Sequence, residues 1–200
     1  MRRDARKWLR RRGEALMRRL GVRARHIVLD FGCRDGRYAV PAARVVGPEG
    51  FVYALDKDRK ALTTVRRSAR KQGLANLQAR AVSNGRFVPI LRPAADVVLL
   101  FDVLHGGYFP KSDRRRALLA QLYEVLKPGG FLVCYLTHVK QFGLTFRVLL
   151  SEIRAAGFRL KNESRRRLVH DDDLVRGRVL RFRKPRRRPR DAQRRPRRSP

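Results

Sequence analysis

The chain has 200 residues, 43% of them hydrophobic, which suits one globular domain with attachments and excludes general disorder. Fifty Lys and Arg against 17 Asp and Glu leave a formal charge of +33, which implies attraction to nucleic acid or anionic lipid wherever it is concentrated. Cys33 and Cys134 are the only cysteines and form no CxxC spacing, so neither a disulfide framework nor a cysteine zinc or redox centre is expected.

The first 25 residues hold eleven Lys or Arg and two acids. Trp8, Leu9, Leu16, Met17 and Leu20 fall near helical spacing ahead of Gly21, so residues 1–25 read as a basic amphipathic helical arm. No apolar run of signal-peptide length follows the opening arginines, and no stretch approaches the roughly 20 apolar residues that span a bilayer. A cytoplasmic protein is the expectation.

From His26 short apolar runs alternate with longer helix-like segments. "HIVLDF" reads as a buried strand, "RYAVPAARVV" as a helix, "GPEG" as a turn and "FVYALD" as a second strand. "DRKALTTVRRSARKQG" reads as a helix ended by Gly73, "NLQARAV" as a third strand and "DVVLLFDVL" as a fourth. "DRRRALLAQLYEVL" reads as a helix, "KPGG" as a turn and "FLVCYLTHV" as a fifth strand. A helix, "TFRVLLSEIRAAGF", and two strands, "RLKNES" and "GRVLRFRK", follow. This alternation predicts an α/β domain over 26–183 with a parallel sheet covered by helices on both faces. Residues 184–200, rich in Arg and Pro and poor in apolar groups, read as a disordered tail.

Such a sheet binds ligands at the carboxyl ends of its strands. Past the first strand lie Asp30, Gly32, Cys33, Arg34, Asp35 and Gly36, where Gly32 permits a sharp turn and Gly36 lets the next helix start close to the sheet. About 20 residues beyond that turn stands Asp56, placed to accept two hydrogen bonds from ribose hydroxyls, with Lys57 after it. Ser83 and Asn84 follow the third strand and Asp102 the fourth, so a nucleoside fits the row. A dinucleotide GxGxxG pattern starting at Gly32 fails at Arg34 and Arg37. A DxGxGxG pattern finds Asp30, Gly32 and Gly36 and misses only at Arg34.

"VLDFGCRDGRYAVPAA", "VGPEGFVYALDKD", "DVVLLFDVLHG" and "LKPGGFLVCYL" together resemble the class I S-adenosylmethionine-dependent methyltransferases, in particular the small-molecule ubiquinone and menaquinone type, over about His26 to Phe158. The resemblance implies a Rossmann-like, doubly wound, seven-stranded sheet whose last strand is antiparallel. It also implies that S-adenosylmethionine is bound by Asp30, Gly32, Cys33, Arg34, Gly36, Asp56, Lys57, Asn84 and Asp102. In that reading Asn84 takes the place of an acid near the adenine amino group, and Arg34 takes the place of a glycine. The Arg34 guanidinium is expected to point at the cofactor carboxylate or at solvent.

Methyl transfer asks for in-line placement and exclusion of water, with no metal and no covalent residue. His105, just past the fourth strand, is the best-placed candidate base if the acceptor must lose a proton, with capping or positioning its loop as the other reading. Tyr108 and Phe109 line an acceptor pocket or anchor the loop. His138 and His170 offer no metal-ligand grouping, and "HDDD" at 170–173 reads as a solvated acidic turn. A small organic acceptor is favoured over RNA, because the fourth strand ends in "FDVLHG" without the Asn/Asp-Pro-Pro-aromatic pattern of amino-group methylation. The alternatives are an RNA methyltransferase and a catalytically silent module of the same fold that binds RNA or another polyanion through its basic arms.

Overall fold

A computed structural model describes residues 2–82, 94–136, 138, 139, 141 and 143–186. Seven strands form one sheet in the order β3-β2-β1-β4-β5-β7-β6. β1 (Ile27–Phe31), β2 (Phe51–Asp56), β3 (Leu77–Ala81), β4 (Ala95–Phe101) and β5 (Leu126–Leu136) run parallel. β7 (Asp173–Arg183) is antiparallel to β5 and to β6 (Arg159–His170), as the resemblance implies. The helices are α1 (Arg3–Leu20), α2 (Ala39–Val46), α3 (Arg59–Lys71), α4 (Ser112–Val125) and α5 (Phe146–Ala155).

β4 is apolar on both faces because both are covered. Val97, Leu99 and Phe101 join the core under α1, α2 and α3, while Val98 and Leu100 join the core under α4 and α5. α1 lies against α2 and β7 and gives Leu16, Met17 and Leu20 to the same core, so its apolar stripe is buried and its arginines face outward. Among the described residues no helix is long and apolar enough to cross a membrane.

Local chemistry sets the element ends that matter for the site. Asp58 caps α3 by accepting the backbone N–H groups of Lys60 and Ala61, at 2.8 and 3.2 Å. Thr145 caps α5 through the N–H of Val148. The sequence "KPGG", expected as a turn, forms an irregular excursion at the start of β5, where the partners of Ala95 and Val97 are Leu126 and Phe131. Lys127 grips both oxygens of Asp96 at 2.9 and 3.0 Å, and Asp96 also accepts the N–H of Ile27, so the turn is fastened to the sheet rather than preceding it.

β6 and β7 are longer than expected and run to a tight turn at Asp171 and Asp172. Their register pairs Arg159 with Arg183 and His170 with Asp173, so each strand satisfies the other's backbone. The arginine-rich solvent face obscured that pairing in the sequence. Lys184, assigned to the tail by its sequence, is buried and donates to the carbonyls of Tyr123 and Leu126, where α4 ends and cations are favoured. Of the tail, residues 187–200 lie outside the described residues.

α4 and α5 are joined by a buried ion pair. Arg115 donates to both oxygens of Glu152 at 2.7 Å, and Ser112 donates to the same carboxylate at 2.7 Å. Both charged side chains are under 5% exposed, at 3% and 4%. Glu152→Ala strands the guanidinium, so it should lower the unfolding free energy by about 3–5 kcal/mol. Urea denaturation with an unchanged slope checks this expectation.

Candidate active site

The carboxyl ends of β1, β2, β4 and β5 open onto a cavity of about 1100 Å³. Gly32 makes the first turn at φ +77, and a Cβ there would meet Val103 Cγ2 at 2.4 Å. Only glycine fits a bend that is both left-handed and this close to β4's end. Gly36 approaches α3 similarly, with Val65 Cγ2 3.2 Å from the place of a Cβ. The N–H groups of Gly32 and Cys33 both donate to the carbonyl of Leu55, which ties the loop to β2.

Asp56 is nearly buried and has both oxygens in use. Oδ2 accepts the N–H of Arg34 at 2.7 Å, and Oδ1 accepts the N–H of Asp58 at 2.9 Å. Each carboxylate oxygen keeps a further lone pair, and Asp56 lines the cavity, so the group is fixed in orientation and still able to accept two hydroxyls. Lys57 lies beside it, 4.7 Å from the centre of the Tyr108 ring.

Arg34 takes the place of the missing glycine with its side chain turned outward and more than half exposed. Its backbone occupies the left-handed region at φ +46, and its N–H serves Asp56. The guanidinium leaves the loop and pairs with Asp171 in the β6–β7 turn at 3.2 Å. Arg37 does the same with more burial, bonding Asp35 at 2.8 Å and Asp172 at 2.9 Å. Arg2 reaches Asp173 at 3.1 Å, and the Tyr38 hydroxyl donates to the carbonyl of Val169 at 2.8 Å. "HDDD" is therefore a solvated acidic turn, as expected, whose three carboxylates are half or more exposed and each also paired with an arginine.

Asp30 sits at the floor, 2% exposed, with one oxygen lacking any partner. Burial, and secondarily the charge of Asp56, push its carboxyl up to about 7, against a bond from the N–H of Ala39. Such an orphaned polar atom beneath the glycine turn is what an absent polar ligand would leave. Cys33 and Cys134 are buried, and desolvation pushes both thiols upward, so they are small core residues and poor nucleophiles. Asn84 and Ser83 lie outside the described residues.

Asp102 follows β4 at φ +55, a left-handed position that Asp tolerates, and its N–H donates to the carbonyl of Tyr135. Its Oδ2 lies 3.1 Å from His170 Nδ1 and 3.8 Å from His138 Nε2, while the two imidazole Nε2 atoms are 2.5 Å apart. The sequence separates His138 from His170 by 32 residues, yet these rings and Asp102 share one corner of the cavity. The expectation that they form no grouping is overturned. His105 lines the cavity nearby, 6% exposed, with Nδ1 accepting the N–H of Gly107 at 3.1 Å. Its ring centre lies 4.7 Å from that of Tyr108 in a tilted contact and 5.8 Å from that of His138 in an edge-on one.

A family profile for a methyltransferase domain matches residues 28–130. The chain belongs to the methyltransferase domain family. This methyltransferase-domain protein is 30% identical to a demethylmenaquinone methyltransferase of Geobacillus kaustophilus over 121 residues, 60% of this chain and 49% of that protein. A ubiquinone/menaquinone biosynthesis C-methyltransferase of Marinomonas sp. is 30% identical over 157 residues, 78% of this chain and 59% of that protein. The chain spans about half the length of the curated relatives it matches. A solved SAM dependent methyltransferase from Aquifex aeolicus shares the fold, with a TM-score of 0.70 and 18% identity over 86% of this chain and 89% of that one.

His138 was within reach of sequence reasoning, because it follows β5 as Asp102 follows β4, and the strand-end rule covers both. His170 and Asp171 carried no such signal, since an antiparallel hairpin delivers them.

The raised carboxyl of Asp30 fixes a sign for stability. Between an unfolded value near 3.8 and a folded value of about 7, the native state holds the extra proton, so stability falls as pH rises through that window. Asp30→Asn, which keeps an acceptor for Ala39, should melt above the wild type at about pH 8, with the difference shrinking towards about pH 5. Thermal denaturation of both proteins at the two pH values checks this.

Proposed function

We propose that this methyltransferase-domain protein transfers a methyl group from S-adenosylmethionine to a small organic acceptor. The observation that supports the reading best is the single cavity in which the glycine turn and Asp56 lie at one side and Asp102, His105 and Tyr108 at the other. Its volume of about 1100 Å³ sits at the upper end of the range for drug-sized ligands, which leaves room for a cofactor and a compact acceptor together. When bound, S-adenosylmethionine supplies a methyl group made electrophilic by the sulfonium.

The chain's own groups have separable tasks. Asp56, pre-oriented by Arg34 and Asp58, holds the ribose hydroxyls. The turn at Gly32 and Gly36, with Cys33 and Arg34, shapes the wall around the methionine part, and Asp30 meets it from below. Lys57 flanks the adenosine, and Asp102 borders cofactor and acceptor. Phe101, Val103 and Tyr135 line the cavity with apolar surface that excludes water, and placement in such a site is worth up to roughly 7–11 kcal/mol.

His105 is a positioning residue in this reading. Its Nδ1 accepts from Gly107, so the neutral ring carries its proton on Nε2, and burial lowers its tendency to take a second. His105→Gln should leave turnover within a few-fold, whereas a loss near the 10²–10⁴-fold typical of general bases would restore the base role.

RNA is the second acceptor reading, favoured by the net charge of +33. Calorimetric titration with S-adenosylmethionine should give one site, weakened about 10-fold or more in Asp56→Ala through loss of charge-assisted bonds. Arg34→Gly should bind almost as the wild type does, because the N–H and not the guanidinium serves Asp56. No heat from the wild type would defeat the reading. Incubation with methyl-labelled cofactor and cell extract should place label in small molecules; label in RNA would favour the second acceptor.

A further inference from the structure

The corner formed by Asp102, His138 and His170 has a donor set that placement of a cofactor and acceptor does not require. One ligand atom from each of the three lies within 4.8 Å of the others. The residues come from the end of β4, the segment after β5 and the end of β6, so the cluster is built by three separate parts of the fold. Asp171 adds a fourth group, its Oδ2 standing 3.4 Å from His170 Nε2 and 4.0 Å from His138 Nε2.

The two imidazole Nε2 atoms face each other at 2.5 Å. At that distance at most one proton fits between them, and two bare lone pairs would repel. A cation between them takes the place of the proton and attracts both lone pairs. Bonds of about 2.0–2.1 Å to each nitrogen in a tetrahedral arrangement set the nitrogens roughly 3.3 Å apart, so the rings need part by less than about 1 Å. Two imidazoles with one carboxylate suit Zn²⁺ and its first-row neighbours, whereas Mg²⁺ and Ca²⁺ favour sets made of oxygen.

Charge and support agree with this assignment. Asp102 supplies one negative charge, and Asp171 a second at the rim, where Arg34 holds its other oxygen at 3.2 Å. The residue that replaces a loop glycine thus steadies a carboxylate beside the cluster, a task for a supporting shell. Asp102 meets His170 at Nδ1, the ring nitrogen away from the paired Nε2 atoms, and all four groups line the cavity, so a cation between the Nε2 atoms is reached from the acceptor side.

We propose that Asp102, His138 and His170 form a binding site for one divalent first-row transition cation, with Asp171 beside it, open to an oxygen of the methyl acceptor. The acceptor class that follows carries an ionisable hydroxyl, a phenol or an enol, at its reacting end, because a bound cation favours the deprotonated oxygen. The acceptor class rests on the methyl-transfer reading above; the cation site does not.

The test uses untagged, chelator-stripped full-length protein without any methyl donor, titrated with Co²⁺ as a spectroscopic probe and then with Zn²⁺ as competitor. One equivalent of Co²⁺ should develop visible ligand-field absorption that Zn²⁺ removes, and Zn²⁺ should raise the melting temperature. His170→Ala, Asp102→Asn and His138→Gln should each weaken binding at least about tenfold, the loss expected on removing a ligand or its support. His26→Gln, away from the cavity, should bind as the wild type does. Absence of stoichiometric binding, or binding that persists unchanged in both the His138 and His170 variants, overturns the site. Because no S-adenosylmethionine is present, failure of the methyl-transfer reading can neither produce nor hide either result.

Discussion

Arg37 holds the site together. Its guanidinium, 8% exposed, lies between Asp35 of the first loop and Asp172 of the β6–β7 turn, and both carboxylates are within 3 Å, at 2.8 and 2.9 Å. A buried guanidinium needs such partners to offset its desolvation, so the loop and the hairpin tip are fixed relative to each other. The hydroxyl of Tyr38 on Val169 and the pair of Arg34 with Asp171 extend the same seam. Because of that seam, His170 hangs over the end of β4 and meets Asp102, and the cavity gains a wall that the five parallel strands alone would not provide.

The seam also redistributes charge. The chain is strongly basic, yet the described residues lining the cavity include six aspartates against five Lys or Arg, so the interior is close to balanced. A sulfonium cofactor meets carboxylates there, while the arginines of α1 lie exposed on the outer surface.

Arg34 illustrates how a backbone role survives a side-chain change. The loop needs a residue at positive φ whose N–H can reach Asp56, and arginine meets the second need while tolerating the first at a modest cost in strain. The side chain is then free to do something a glycine could not. It bridges to Asp171, which borders the imidazole cluster, so a departure from the glycine pattern becomes part of the wall opposite.

The amino-acid sequence by itself determined the order of strands and helices, the glycine turn after β1 and the acid at the end of β2. These follow from hydrophobic period, turn chemistry and short-range spacing, which act between neighbours along the chain. It also placed His105, Tyr108 and Asp102 past β4. Only the tertiary structure decided where Arg34 points, how far β6 and β7 extend, and that His138, His170 and Asp102 share one corner. Those depend on the antiparallel return of β7 beside β5, which brings residues more than a hundred positions apart into contact, as Arg34 and Asp171 are. No local pattern encodes that contact, because its partners are chosen by the sheet's pairing and by the burial of Arg37.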